Sequence, residues 1–321
     1  MASGLDNDNV FLAGLIGLVI FAVLGALGGD MGDGGSDSAR RSGSQNNLVE
    51  SKASQSAIQS NYLESPWKDK VTISKGSASS EYQPYKEYII LQPRSLKNGE
   101  TINISGWSLV NGAGARLYQL NDTLVSGVSG RAYIPQGTRV FLTTGQNFLS
   151  PITLGAGYRA IVVTGDVPNK SPFAVTSFQV NKCSGYIEKM DDYHFFPSVS
   201  TSSCPDPSNE EGVERLENSC YKFVNSLQRC HTPEFPERTL VKGNWETGYV
   251  DGVGGLSNQC KTFIKTHYSY GSCVALHGAD DDFFKKEWRI FLNQPWEMYA
   301  KERETITLLD AQGRLVDTLE Y

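Results

Sequence analysis

Ile102-Asn103-Ile104-Ser105-Gly106-Trp107-Ser108-Leu109 and, some way downstream, Ile306-Thr307-Leu308-Leu309-Asp310-Ala311-Gln312-Gly313-Arg314-Leu315-Val316-Asp317 are the two runs whose reading decides the fold. Each alternates apolar and polar residues and is broken at a glycine, the pattern of strands with one buried face. Working outward, Val71-Thr72-Ile73, Tyr88-Ile89-Ile90-Leu91, Arg139-Val140-Phe141-Leu142 and Ala160-Ile161-Val162-Val163 read as further strand cores. Asn98-Gly99, Asn111-Gly112, Pro135-Gln136-Gly137 and Gly165-Asp166 punctuate them as turns. Strands at this spacing predict an all-β sandwich or barrel. The many Tyr, Thr, Gly and Ser residues suit strands and turns better than long helices.

Between Cys183 and about residue 286 the period changes. Val213, Leu216, Cys220, Phe223 and Leu227 recur three or four apart and predict a helix over Glu210 to Arg229. Cys260, Phe263, Ile264 and His267 predict a second. Strand character returns at Arg289-Ile290-Phe291-Leu292 and again from Glu304 to Leu309. A partly helical insertion therefore interrupts an all-β domain.

All six cysteines, Cys183, Cys204, Cys220, Cys230, Cys260 and Cys273, lie in that insertion, and no C-x-x-C pair occurs. A structural zinc site usually brings two ligands from a tight knuckle. An even number of cysteines without one reads as three disulfides, and hence as an oxidising compartment. If the two helices form an antiparallel hairpin, Cys220 faces Cys273 and Cys230 faces Cys260, and Cys183 is left for Cys204. That pairing is one among several. A zinc site from Cys230, His231, Cys260 and His267 is the competing reading, and its spacing follows no standard pattern. The run Asp280-Asp281-Asp282 lacks the alternating carboxylates and distal Glu of a calcium loop and reads as a solvated helix start.

Val10 to Leu27 is apolar and free of charge, and with Gly28 and Gly29 it is long enough to cross a hydrocarbon core as a helix. No Lys or Arg precedes it and Ala26-Leu27-Gly28 is a poor cleavage site, so a retained anchor is expected rather than a signal peptide. Arg40 and Arg41 beyond it argue weakly for a body on the inside. The cysteines argue for the outside, and that placement is taken. Residues 30–65 are mostly Gly, Ser, Asp, Asn and Gln, too poor in apolar groups to offset the entropy of ordering, and read as a tether. The resulting division is an anchor at 10–29, a tether at 30–65, a first β part at 66–180, the insertion at 181–287 and closing strands at 288–321.

Several of these motifs resemble those of the lamin-tail domain, a small immunoglobulin-like β-sandwich. Glu87-Tyr88-Ile89-Ile90-Leu91 is similar to the family's early strand, Ile104-Ser105-Gly106-Trp107-Ser108-Leu109 to its S-G-W-x-L turn, and Ile134-Pro135-Gln136-Gly137-Thr138 to the I-P-x-G-T turn that follows. Thr305 to Asp317 with Tyr321 resembles the last hairpin, where Asp310, Gly313 and Asp317 stand at the pattern's positions. Glu304 occupies a slot that more often holds Asp, and the cysteine-bearing insertion is foreign to the minimal domain. The resemblance implies a compact sandwich used for attachment, with Gly106 and Trp107 as structural elements and Trp107 a core anchor.

The function classes narrow accordingly. With 29 basic against 35 acidic residues and no basic block, nucleic acid is not an expected partner. No G-x-S-x-G elbow accompanies His194, Ser198 and Ser200, and Gly252-Val253-Gly254-Gly255 lacks the Lys-Ser/Thr of a phosphate loop. No catalytic residue, cofactor or metal is expected. Asn103-Ile104-Ser105 and Asn121-Asp122-Thr123 fit the glycosylation acceptor pattern. The expected protein is a membrane-anchored, non-enzymatic binding or structural module outside the cytoplasm. Its partner would be a protein or envelope polymer, met by the Tyr- and Phe-rich insertion. The alternative is an envelope-associated hydrolase or metal-binding subunit using the Cys- and His-containing insertion.

Overall fold

The computed structural model describes residues 62–112, 117–120, 123–126, 130–168, 175–235, 238–241, 244–247 and 255–321. The expected anchor at Val10–Leu27 and nearly all of the tether lie outside them. No helix among the described residues is long and apolar enough to cross a membrane.

The described chain is mainly β. Strands β1 (Val71–Ser74), β2 (Tyr88–Pro93), β9 (Arg159–Val163), β13 (Phe284–Phe291) and β10 (Phe178–Asn181) form a five-stranded sheet in that order. Strands β15 (Leu315–Glu320), β14 (Thr305–Leu309), β4 (Ser108–Asn111) and β7 (Arg131–Tyr133) form a four-stranded one. Shorter ladders join β3 (Thr101–Asn103) to β8 (Thr153–Gly155), β5 (Leu117–Leu120) to β6 (Thr123–Ser126), and β11 (Arg238–Val241) to β12 (Asn244–Thr247). The late strands are thus woven among the early ones. β14 pairs antiparallel with β4, Leu308 opposite Leu109, and β13 pairs parallel with β9, Ile290 opposite Val162. A parallel neighbour needs a long crossover, and the cysteine-bearing segment between β10 and β13 supplies it.

The period-2 alternation divides the five-stranded sheet's side chains between two cores. Ile89, Leu91, Ala160, Val162, Trp288 and Ile290 face one way and pack with Leu109, Ile306, Leu308 and Val316 of the other sheet. Trp107 sits in this core, 2 % exposed. Ile161, Val163, Phe178 and Phe291 face the opposite way and pack with Cys183, Tyr186, Tyr193 and Phe195 of the insertion. With both faces covered, the central strands read as nearly continuous apolar runs.

Buried and half-buried carboxylates fasten the loops. Asp310 accepts from the Arg314 and Gln312 backbone N–H groups (2.9 Å each) and from Ser65 Oγ (2.7 Å), closing the β14–β15 turn over Gly313, whose φ is +75°. Asp317 accepts from Ile73 N at 2.8 Å and so ties β15 to β1. Glu304 accepts from Gly112 N (2.8 Å) and Ala300 N (2.7 Å), and Tyr321 donates its hydroxyl to Ala300 O (3.0 Å). Gly106, at φ +82°, lets the chain turn into Trp107 while its N–H bonds Ile134 O at 2.8 Å.

The structure corrects two local expectations. Arg139-Val140-Phe141-Leu142 is not a strand. Thr138 and Asn147 side chains bond the backbone at Val140 and Leu142 (2.8 and 2.7 Å), holding a loop from which Phe141 packs into the second core. The single helix expected over Glu210–Arg229 is a 3-10 turn at Val213–Arg215 followed by a short helix at Asn218–Ser226. Gly212 at φ +93° starts the turn, and Leu216 and Glu217 are extended between the two pieces.

Candidate functional site

Among its described residues the insertion carries four short helices: α1 (Ser184–Glu188), α2 (Asn218–Ser226), α3 (Asn258–His267) and α4 (Tyr270–His277). The last two begin at serine caps. Ser257 Oγ accepts from Cys260 N (3.2 Å) and Ser269 Oγ from Ser272 N (3.1 Å), each satisfying an N–H that the first turn leaves open. The second cap starts a new helix directly after α3.

Three disulfides brace these helices, pairing Cys183 with Cys273, Cys204 with Cys230, and Cys220 with Cys260. The hairpin pairing expected from sequence is therefore wrong in all three links. Cys273 stands on α4 rather than on an extension of α3, and it reaches back to the end of β10. Cys230 lies past the end of α2 at φ +60° and faces Cys204. Only the α2–α3 contact survives as one rung, with Cα atoms 5.6 Å apart. The zinc set is not assembled, because Cys230 and Cys260 are bonded elsewhere.

The bridges divide the insertion into two parts. Cys183, Cys204, Cys230 and Cys273 belong to the core lying on the five-stranded sheet. Cys220 and Cys260 belong to a separate cluster with Val213, Val224, Ile264 and Tyr268. Half of the insertion's described aromatic residues are buried. Tyr193 stacks on Phe195 at 6.0 Å, and Tyr186, Tyr268, Tyr270 and Phe283 are buried. Burial raises the Tyr270 hydroxyl to about 12 against the pull of its Asn181 contact. It also drives Tyr186 and Tyr268 well up, with the nearby Glu210 charge adding to the effect.

A cleft of about 390 Å³ opens on the outer, helical part. One wall is the 3-10 segment, through Gly212, Arg215 and Leu216; the other is α3 and α4, through Phe263, His267 and Leu276, with Glu211 and Gln259 completing the lining. Leu276 is 45 % exposed. The His267 ring stacks on Phe263 with centroids 3.8 Å apart, and its Nδ1 donates to Phe263 O at 2.8 Å. A methyl on Gly212 would stand 3.3 Å from the Phe263 ring, so glycine keeps the wall close. The cleft thus offers apolar surface beside one guanidinium, one imidazole, one carboxylate and one amide. A second recess of about 320 Å³ lies among Phe223, Ser226, Leu227, Gln228 and His231.

Behind the first cleft stands a charge cluster that sequence reading missed. His277 Nε2 lies 3.1 and 3.2 Å from the two Glu210 oxygens, and its Nδ1 lies 3.0 Å from Asp280 Oδ2. Lys182 Nζ donates to Asp280 at 2.7 Å and also pairs with Asp282. The Asp run follows the end of α4 rather than starting a helix. Lys182, and then His277, hold the Asp280 carboxyl below its usual range. The carboxylates meet opposite nitrogens of one ring, so they cannot converge on one ion, and no metal-competent group of His, Cys, Asp and Glu occurs among the described residues.

The remaining sequence candidates scatter. His194 is exposed, and Ser200 Oγ pairs with Ser202 Oγ at 2.8 Å. Asn103 is exposed on β3, its Oδ1 accepting from Ser105 N at 3.0 Å. Buried Arg289 donates to Ser198 O (3.0 Å), to Pro197 O and to Glu287 (2.7 Å), fixing the 193–199 loop to β13. No protein-family model, curated protein or solved structure matches this chain.

Proposed function

We propose that this chain is a non-enzymatic binding or structural module, anchored in a membrane by Val10–Leu27 and displayed outside the cytoplasm. Its β body is a lamin-tail-like sandwich serving as scaffold. Its cystine-braced insertion presents the docking surface for a protein or an envelope polymer. The carrying observation is the placement of the cleft between Arg215 and Leu276 on the outer part of the insertion. Binding surfaces concentrate on excursions from a rigid frame. The three disulfides support an oxidising compartment. The non-enzymatic reading draws on the histidines, since His277 is engaged on both nitrogens and His194 is exposed.

Two measurements test the proposal. Intact cells treated with a membrane-impermeant thiol reagent should label this chain only after external reduction; ready labelling after lysis alone, without reductant, refutes the placement. Solubilised envelope proteins and envelope polymer passed over immobilised chain should leave a component that Leu276→Arg fails to retain. Equal retention by wild type and variant removes the cleft as the docking surface.

A further inference from the structure

Several connections meet at one end of the four-stranded sheet. β14 ends there at Leu309, opposite Ser108 at the start of β4, and β7 ends there at Tyr133, opposite the same Ser108. The β14–β15 turn, the Ser105–Trp107 turn and the β7–β8 loop therefore lie side by side. A methyl on Gly106 would stand 3.8 Å from Ala311 Cβ, and Ser105 Oγ donates to Pro135 O at 3.0 Å. Ser150 and Gly137 exchange backbone bonds of 2.8 and 3.0 Å. The first described residues join this same end. Leu315 N donates to Leu63 O (2.7 Å), and Ser65 Oγ to Asp310 (2.7 Å). The chain ahead of Tyr62 thus reaches the β body here.

Apolar surface is left open at this end. Of the seven large hydrophobic side chains exposed among the described residues, Leu63, Tyr133, Phe148 and Leu149 belong to it. Phe148 is 85 % and Leu149 55 % exposed, at the tip of the β7–β8 loop. The tip is held in place. Asn147 Oδ1 accepts from Leu142 N (2.7 Å), its amide donates to Leu142 O (3.2 Å), and Gly145 N bonds that oxygen too (3.1 Å). Leu142 to Pro151 contains no charged residue. Nearby, Arg314 pairs with Asp310 and Lys68 with Glu64, so the charges at this end are matched. Such a tip enters hydrocarbon without carrying an unpaired ion with it.

We propose that this end of the β body docks on a lipid bilayer, with Phe148 and Leu149 inserted below the headgroups and Tyr133 among them. A bilayer is the occupant because the apolar run Val10–Leu27 lies ahead of Tyr62, on the side of the chain that enters here. The choice of lipid rests on reading that run as an anchor. Burying one such side chain shifts a docked-to-free ratio at least about tenfold. That suffices for a body whose own chain already holds it near the membrane.

Spin-label accessibility on the full, disulfide-bonded chain tests the docking. All six native cysteines are paired, so an added thiol alone takes the label. One label goes on Gln146→Cys, exposed beside the tip. The control goes on Tyr82→Cys at the far end, where Lys301, ahead of β14, lies over the ring. In nanodiscs of neutral phosphatidylcholine holding one chain each, the Gln146 label should collide with oxygen and be shielded from an aqueous nickel chelate. The Tyr82 label should stay open to the chelate. Phe148→Asp/Leu149→Asp should return the Gln146 label to the chelate, with the docked-to-free ratio down at least about tenfold. A wild-type Gln146 label as open as the control, or shielding that survives the double substitution, overturns the docking. Shielding found only in vesicles with several copies, and not in the discs, assigns the surface to a second copy and overturns it too. Alkaline carbonate tests the anchor separately. Chain stripped from vesicles by carbonate refutes the anchor, and a label shielded before stripping upholds the docking. Chain retained with an open label refutes the docking alone. Chain that does not float with vesicles refutes both.

Discussion

Removing the Cys220–Cys260 bridge should unfold one part of the molecule and spare the rest. The link closes a segment of 40 residues. Chain-entropy reasoning gives such a loop about 4 kcal/mol of stabilisation, drawn mostly from the unfolded ensemble. Among the described residues the fully buried cluster around it is Val213, Val224, Ile264 and Tyr268 besides the two sulfurs, with Leu216, Phe223, Leu227, Phe235, Leu256 and Phe263 partly buried against it. Four buried side chains at ~1.5–3 kcal/mol each, with the partly buried ones adding less apiece, fall short of an ordering cost of ~1–2 kcal/mol per residue over α2, α3 and the 3-10 turn. The sheets, by contrast, keep a core spanning both layers that contains no cysteine. In Cys220→Ala/Cys260→Ala, amides of 218–226 and 258–267 should lose protection by about the full ~4 kcal/mol. Those of β9, β13 and β14 should remain as in the wild type. Hydrogen exchange read by mass spectrometry distinguishes these segments directly. If the helices keep wild-type protection, or the sheets lose theirs in step, the outer part is not an autonomous, bridge-dependent unit and the reasoning fails.

Glu87 is fully buried and accepts from Met298 N (2.7 Å) and Tyr299 N (3.0 Å), yet burial outweighs those donors and raises its carboxyl to about 7. The folded state then holds more protons than the unfolded one from about pH 4.5 to about pH 7, so stability should rise as pH falls across that window, by on the order of 3 kcal/mol. Denaturant titrations against Glu87→Gln check this; identical profiles refute it. Below that window Asp206, Asp280 and Asp310, whose pKa values are lowered, should cost stability as they protonate. Arg289→Leu leaves Glu287 with Arg159 as its remaining partner and strands Pro197 O and Ser198 O without their donor, a change expected to cost ~1–3 kcal/mol. Thermal unfolding measures it, and a neutral result refutes the anchoring role of Arg289. In Gly185→Ala the added methyl would land on Cys230 Sγ and stand 3.1 Å from Cys204 Sγ. A thiol count on unfolded protein should find two free cysteines, and none would show that the site yields.

What the sequence determined by itself was the local period and the demand it makes for burial. The alternation through Ile102–Leu109 and Ile306–Asp317, the glycines at 106 and 313, and the repeat of Cys260, Phe263, Ile264 and His267 in α3 each dictate backbone form within a few residues. An even set of cysteines without a metal knuckle dictated bridges. Tertiary structure alone decided which elements meet. Phe141 lies in a run that reads as a strand, but polar side chains at Thr138 and Asn147 captured its backbone instead. Gly212 broke a convincing helical repeat, and Ser269 turned the chain into a new helix. Every cysteine therefore points along an axis that spacing could not supply, and the bridges fall elsewhere. The cluster of His277, Glu210, Asp280 and Lys182 left no local trace, because its members lie up to 98 residues apart. The aromatic wealth of the insertion looked like a surface for partners, yet the five-stranded sheet has two faces to cover, and Tyr193, Phe195 and Phe283 are spent on the second. Period is a property of neighbours in the chain. Pairing, burial and charge contact are properties of neighbours in space, fixed only when both sheets and the bridged helices close together.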